Sequence, residues 1–100
     1  MPEVLLEFST PIRGPEGRTY AAQAVGEQMT DGLWHGWIEF STVDDSEFVA
    51  TDRETTQPNR TDAVYWATGL TQIYLEGALI RALDVSRSRH AAQHLQTHSP

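Results

Sequence analysis

Asp31-Gly32-Leu33-Trp34-His35-Gly36-Trp37-Ile38-Glu39-Phe40-Ser41-Thr42-Val43 is the run that decides the fold class. It is crowded with Trp, Ile, Phe, Thr and Val, the residue types that fit a pleated, half-buried backbone. At a period of two, Trp34, Gly36, Ile38 and Phe40 point one way, and His35, Trp37 and Glu39 point the other. The Asp-Gly pair in front suits a tight hairpin, because both residues tolerate positive φ. A strand is therefore expected before it, and Arg18 to Met29 supplies one: Tyr20, Ala22 and Ala24 alternate with Ala21, Gln23 and Val25.

Working outward, Gly14-Pro15-Glu16-Gly17 carries turn chemistry, a proline that presets φ and a glycine that accepts positive φ. Before it, Val4 to Phe8 reads as a first strand with Val4, Leu6 and Phe8 on one face. After the central run, Asp44-Asp45-Ser46 makes a third turn, and Glu47 to Thr51 a short fourth strand. Three closely spaced hairpins predict an antiparallel meander in the order 1-2-3-4. The period then changes. A polar connection from Asp52 to Arg60 leads to Thr61, a candidate N-cap with Asp62 in the first turn, where the helix dipole favours an anion. The helix carries Ala63, Val64, Trp66 and Ala67; Gly69 leaves open whether it runs unbroken, and Thr71 offers a place to restart it. From Leu70 to Leu83 only Gln72, Glu76 and Arg81 are strongly polar. A helix apolar around most of its girth is expected to be buried. The predicted fold is α+β: a four-stranded antiparallel β-meander packed on one face by a C-terminal α-helix, a two-layer sandwich. The domain is expected to span residues 1–84, and the Ser-, His- and Gln-rich stretch 85–100 to be a disordered tail.

Composition bounds the function. One hundred residues suit one domain with one core, and the apolar fraction of 39% is enough to build it. Fourteen acids face seven basic residues, all arginine, for a net charge of −7. Setting aside Arg87 and Arg89 leaves about −9 on the rest of the chain. Such a body repels phosphate backbones, which argues against nucleic acid as a partner. With no cysteine there is no disulfide, no thiolate metal site and no cysteine nucleophile. No apolar run reaches the ~20 residues of a membrane span, and Met1-Pro2-Glu3 lacks a signal-peptide pattern. A cytoplasmic protein is expected.

Arg53-Glu54-Thr55-Thr56-Gln57-Pro58-Asn59-Arg60, followed by Tyr65-Trp66-Ala67-Thr68-Gly69-Leu70-Thr71 and Tyr74-Leu75-Glu76-Gly77-Ala78-Leu79, resembles a family of small bacterial proteins with no known activity. The resemblance spans roughly residues 4–84. It implies a compact cytoplasmic bacterial domain and brings no catalytic residue with it.

Two places stand out as candidate binding sites. Arg53, Glu54, Gln57, Asn59 and Arg60 gather two guanidinium forks, a carboxylate and two amides within eight residues. Such a set suits a carboxylate or phosphate, or it simply links strand to helix with its charges paired internally. Trp37 is the other. If Trp34 faces the helix, Trp37 lies with His35 and Glu39 on the opposite sheet face, a surface where an aromatic residue suits a protein contact. His90, His94 and His98 recur every four residues, but the tail shows no helix-stabilising face to align them on a metal. Asp44, Asp45 and Glu47 crowd one hairpin without the spacing of a calcium loop. No nucleophile-and-base motif and no glycine-rich phosphate loop is present, so catalysis is not expected and no cofactor or metal is assigned. The leading expectation is a small protein-interaction or regulatory module. It binds another protein or a second copy through the sheet face or the edge strands. The alternative is a small anionic-ligand binding protein or enzyme that uses the Arg53–Arg60 segment.

Overall fold

The chain runs β1 (Glu3–Glu7), β2 (Ile12–Arg13), β3 (Thr19–Gln28), β4 (Trp34–Thr42), β5 (Phe48–Ala50), β6 (Thr55–Gln57), α1 (Arg60–Thr68) and α2 (Gln72–Thr97). The computed structural model describes the backbone of residues 1–97 and the side chains of residues 1–89. The protein is α+β, with a six-stranded antiparallel sheet and two helices. The sheet has six strands where four were expected, and the helix whose continuity Gly69 left open is two, α1 and α2.

The central pair is β3 with β4, in register from Tyr20↔Thr42 to Gln28↔Trp34. Their connection departs from the expected two-residue turn. Gly32 N–H donates to the Met29 carbonyl at 2.9 Å, and Met29 N–H donates to the Leu33 carbonyl at 2.7 Å. Thr30, Asp31 and Gly32 thus form a three-residue loop, the type that ends in a left-handed glycine. Gly32 alone takes positive φ, at 87°. Asp31 instead uses its carboxylate to accept the Leu33 N–H at 3.0 Å.

The surplus strands arise because the flanking segments are interrupted. Both β1 and β2 lie against β3, and both β5 and β6 against β4. Between β1 and β2 stand Ser9, Thr10 and Pro11, and proline has no N–H to give a ladder. Between β5 and β6, Thr51 fills the gap. Its N–H donates to the Ile38 carbonyl at 2.9 Å, and its hydroxyl accepts the Ile38 N–H at 3.0 Å. A bulge between Val4 and Leu6 also overturns the expected shared face of Val4, Leu6 and Phe8. The extra residue breaks the period of two. Val4 is left exposed, and Leu5 lies over Gly26.

Register puts Tyr20, Ala22, Ala24 and Gly26 on one face with Thr42, Phe40, Ile38 and Gly36. The core cluster joins Tyr20, Ala22, Ile38 and Phe40 to Ile12, Val49 and the α2 residues Leu75, Ala78, Leu79, Ala82 and Leu83. Trp66 of α1 packs against it. Gly26 and Gly36 face each other directly across the central pair. A Cβ on Gly26 would stand 2.8 Å from Leu5 Cδ1, and one on Gly36 would stand 2.8 Å from Trp66 Cζ3 and 2.9 Å from Thr55 Cγ2. The two glycines are the floor on which Leu5 and Trp66 rest.

Asn59, rather than the expected Thr61, caps α1: its side-chain oxygen accepts the Asp62 N–H at 2.8 Å. An Asn ahead of Arg60 satisfies a first-turn donor that Thr61, already inside the helix, cannot reach. Thr71 restarts the chain as expected, its hydroxyl accepting the Tyr74 N–H at 3.2 Å. α2 departs from the expectation of a helix buried around most of its girth. The helix runs to Thr97, well past position 84. It is also not buried all round, since Ile73 and Ile80 are 81% and 49% exposed.

Gly36→Ala is expected to lower unfolding stability by about 1–3 kcal/mol, the usual range for overpacking, because an indole held on a helix cannot swing aside. Urea denaturation followed by circular dichroism measures it. Gly32→Ala is the contrasting case, strained by its backbone rather than by crowding, since no atom lies within 4 Å of its Cβ position.

Candidate functional site

The face of the central pair opposite the core cluster contributes none of that cluster's residues. Ladder partners arrange it in four rungs. Glu27, His35 and Thr56 form the first, and Val4, Val25 and Trp37 the second. Glu7, Gln23, Glu39 and Ala50 form the third, and Ala21, Ser41 and Phe48 the fourth. Trp37 is half-buried, with the fully buried Val25 beside it in register. Its indole N–H donates to Glu39 Oε2 at 3.1 Å, and the Gln23 amide donates to Glu39 Oε1 at 3.0 Å. Glu39 therefore fixes the rotamer of the indole through a bond along its own strand, and the ring faces are left to neighbours.

Next to this triad a cleft of about 290 Å³ is lined by Glu7, Phe8, Gln23, Glu39, Ser41 and Phe48. Phe48 is 60% exposed. The four rungs hold three carboxylates and no Lys or Arg, so the face is acidic and aromatic at once. Sequence reasoning found Trp37, His35 and Glu39 here but missed Val4, Glu7 and Phe48. Alternation within β4 signals its own residues. Which residues of other strands stand beside them depends on register, and in β1 on the bulge.

The polar run from Arg53 to Arg60 is largely engaged within the fold. Arg60 grips Glu3 with both arms of its guanidinium, Nε to Oε1 and NH2 to Oε2, each at 3.0 Å. That bidentate bond holds the Glu3 carboxyl below the usual carboxylate range and raises Arg60. Glu54, with only 11% of its side chain exposed, accepts from Arg81 NH2 at 2.5 Å and from the Tyr74 hydroxyl. The Arg81 guanidinium also sits 5.5 Å from the centroid of the Tyr74 ring, within cation–π range. Gln57 donates to Thr55 Oγ1 at 2.7 Å, and Asn59 is the α1 cap. Arg53 is exposed, with no ion pair among the described residues. The run thus fastens β1 to α1 and the β5–β6 connection to α2.

The acidic hairpin is wired in the same way. Asp44 Oδ1 accepts from the Thr42 hydroxyl at 2.9 Å and from the Ser46 N–H at 3.0 Å, and Glu47 pairs with Arg18. Bonds from Ser46, then from Thr42, pull the Asp44 carboxyl down to about 2. Asp45 sits at φ 57°. Among the described residues no group of three His, Asp or Glu is placed to hold a metal ion. The side chains of His90, His94 and His98 lie outside the described residues. No described helix is long and apolar enough to cross a membrane. Compared with protein-family models, curated proteins and solved structures, the chain matches none.

Two titrations check this wiring. Burial, then Glu47, raises the Tyr20 hydroxyl, while the bond to Glu54 is the main cause that raises Tyr74. Glu54→Gln is expected to bring one of these two late-ionising tyrosines down towards the normal range, read as tyrosinate absorbance against pH. The Asp44 carboxyl has a folded value of about 2 against an ordinary 3.8. Its contribution to stability is therefore present above about pH 4 and lost as pH falls through about 2. The gap in urea midpoint between wild type and Asp44→Ala is expected to stay level from neutral pH to the ordinary carboxylate range, and to close below it.

Proposed function

We propose that this domain is a protein-interaction module that binds a basic segment of another protein on the sheet face bearing Trp37. The observation that carries the reading is the composition of the four rungs: Trp37, Val4 and Phe48 stand among Glu7, Glu27 and Glu39, with no Lys or Arg between them. An aromatic anchor amid like charges suits an occupant of opposite charge, drawn in by the field and held by contact with the ring. Two copies meeting through this face would set carboxylates against carboxylates, so the charge favours a different chain.

The reading takes the fold as a two-layer sandwich. A four-column meander, with β1 and β2 as one column and β5 and β6 as another, is covered by the helices on the Phe40 face and left free on the Trp37 face. The core cluster supports this, since every sheet residue in it from β3 and β4 comes from the Phe40 side. A cytoplasmic setting fits a chain without cysteine. An anion site at Arg53 and Arg60 has less support, because Glu3 already occupies the Arg60 fork.

The test is fluorescence anisotropy with two labelled peptides of equal length, one alternating Arg and Leu, the other Glu and Leu. The basic peptide is expected to bind, and Trp37→Ala and Glu39→Lys are each expected to weaken it at least about tenfold, with the thermal melt retained. Equal binding of both peptides, or a Trp37→Ala protein that binds like wild type, would sink the reading.

A further inference from the structure

The cleft beside Trp37 has a floor of small side chains and a wall of longer ones. The fourth rung supplies Ala21 and Ser41 to the floor, with Phe48 at its β5 end. The third rung stands next to it as the wall, carrying Glu7, Gln23 and Glu39. Residues two apart on a strand share a face, so the depression follows from the step from Gln23 to Ala21 on β3 and from Glu39 to Ser41 on β4. Its volume of about 290 Å³ is far above the ~30 Å³ share of a water molecule. It approaches the ~300–1,000 Å³ of small-molecule sites. The space suits one long side chain rather than an ion, and among the described residues no three acids converge on a metal.

The two carboxylates of the wall stand in different states. Glu39 is pinned, accepting the Trp37 indole N–H at 3.1 Å and the Gln23 amide at 3.0 Å. Both donors are neutral, so its negative charge is left unanswered. Glu7 has no ion pair among the described residues. In register Glu7 faces Gln23 and Gln23 faces Glu39, which sets the two acids two strands, about 10 Å, apart at the backbone. Phe48 is exposed and is the diagonal neighbour of Glu39, about 7–8 Å away.

We infer that this cleft is the seat of one arginine side chain of the bound segment. Its stem runs along Phe48, and its guanidinium lies over the Ala21 floor, donating to Glu7 on one side and Glu39 on the other. The inference rests on the reading of the Trp37 face as a surface for a basic segment, and it names which basic residue that segment carries there. A lysine ammonium is a compact point charge, which can sit beside one of two acids so far apart but not both. A guanidinium carries donors on opposite edges of one plane, so it bridges two carboxylates while its apolar face rests on a ring. Trp37 stays outside the seat and holds Glu39 in place for it. A guanidinium arriving at Glu39 is therefore felt at the indole N–H.

The test is anisotropy with two labelled peptides of equal length and charge, one alternating Arg and Leu, the other Lys and Leu. The Arg peptide is expected to bind at least about tenfold tighter. Glu7→Gln is expected to shrink that preference to about twofold or less. Its thermal melt is expected to match wild type, because Glu7 is exposed and outside the core cluster. Phe48→Ala is expected to weaken the Arg peptide more than the Lys peptide. The Trp37 indole N–H resonance, identified by its loss in Trp37→Phe, is expected to shift further with the Arg peptide than with the Lys peptide. Equal affinity for the two peptides would overturn the arginine seat and leave the basic-segment reading standing. An Arg preference that survives Glu7→Gln would overturn the seat as well. Binding of neither peptide would overturn both.

Discussion

An indole can reach the backbone of a β-sheet only where the sheet puts no side chain beneath it. Gly26 and Gly36, opposite each other in the two longest strands, make that clearing, and Trp66 and Leu5 fill it from opposite ends of the chain. Trp66 carries the contact of α1 with Gly36 of the sheet. Where its ring rests sets the height of α1, and through the short Gly69–Thr71 connection the point at which α2 begins. The apolar layer of Leu75, Leu79, Ile38 and Phe40 then closes beside it. Ordinary hydrophobic burial supplies the stabilisation, but the paired glycines set the distance at which it can act.

The connections around that core use polar side chains to replace what the ladder cannot give. Thr51 stands in for a strand partner at Ile38, Asn59 starts α1, and Thr71 starts α2. Glu54 ties the β5–β6 connection to two residues of α2 at once, and Arg60 ties α1 to the first strand. None of the exposed pairs is strong alone. Together they hold the helices in one orientation over a core that leaves little margin at this chain length.

The central strand was legible because its evidence is local: β-branched and aromatic residues at period two, led by an Asp-Gly turn. The switch to helix beyond the polar run and the place for a restart at Thr71 were legible for the same reason, whereas the short β6 inside that run was not. Interruptions were not. Nothing in Val4-Leu5-Leu6 announces a bulge, because a bulge is a property of the pair and only half of that pair is in the stretch. The cap at Asn59 was missed for Thr61 although both are good capping types, since the choice depends on where the chain leaves β6. At the candidate site, Trp37 and Glu39 followed from alternation within one strand. Glu7 and Phe48 joined them only once register was known. The run from Arg53 to Arg60 showed its chemistry plainly in sequence. Its partners Glu3, Tyr74 and Arg81 are far along the chain, and no local pattern reaches them.

The breaks in the outer strands have a further consequence. Neither margin of the sheet offers a straight row of free amides and carbonyls longer than β1, and each margin is divided by a bulge, a proline or a side-chain bond. A growing fibril needs a long, flat, continuous template to recruit its next strand, and this sheet presents only fragments of one. A domain that exposes Phe48, Ile73 and Ile80 can therefore carry bare apolar surface without inviting strand-by-strand polymerisation. Association is left to its side-chain faces, where shape and charge choose the companion.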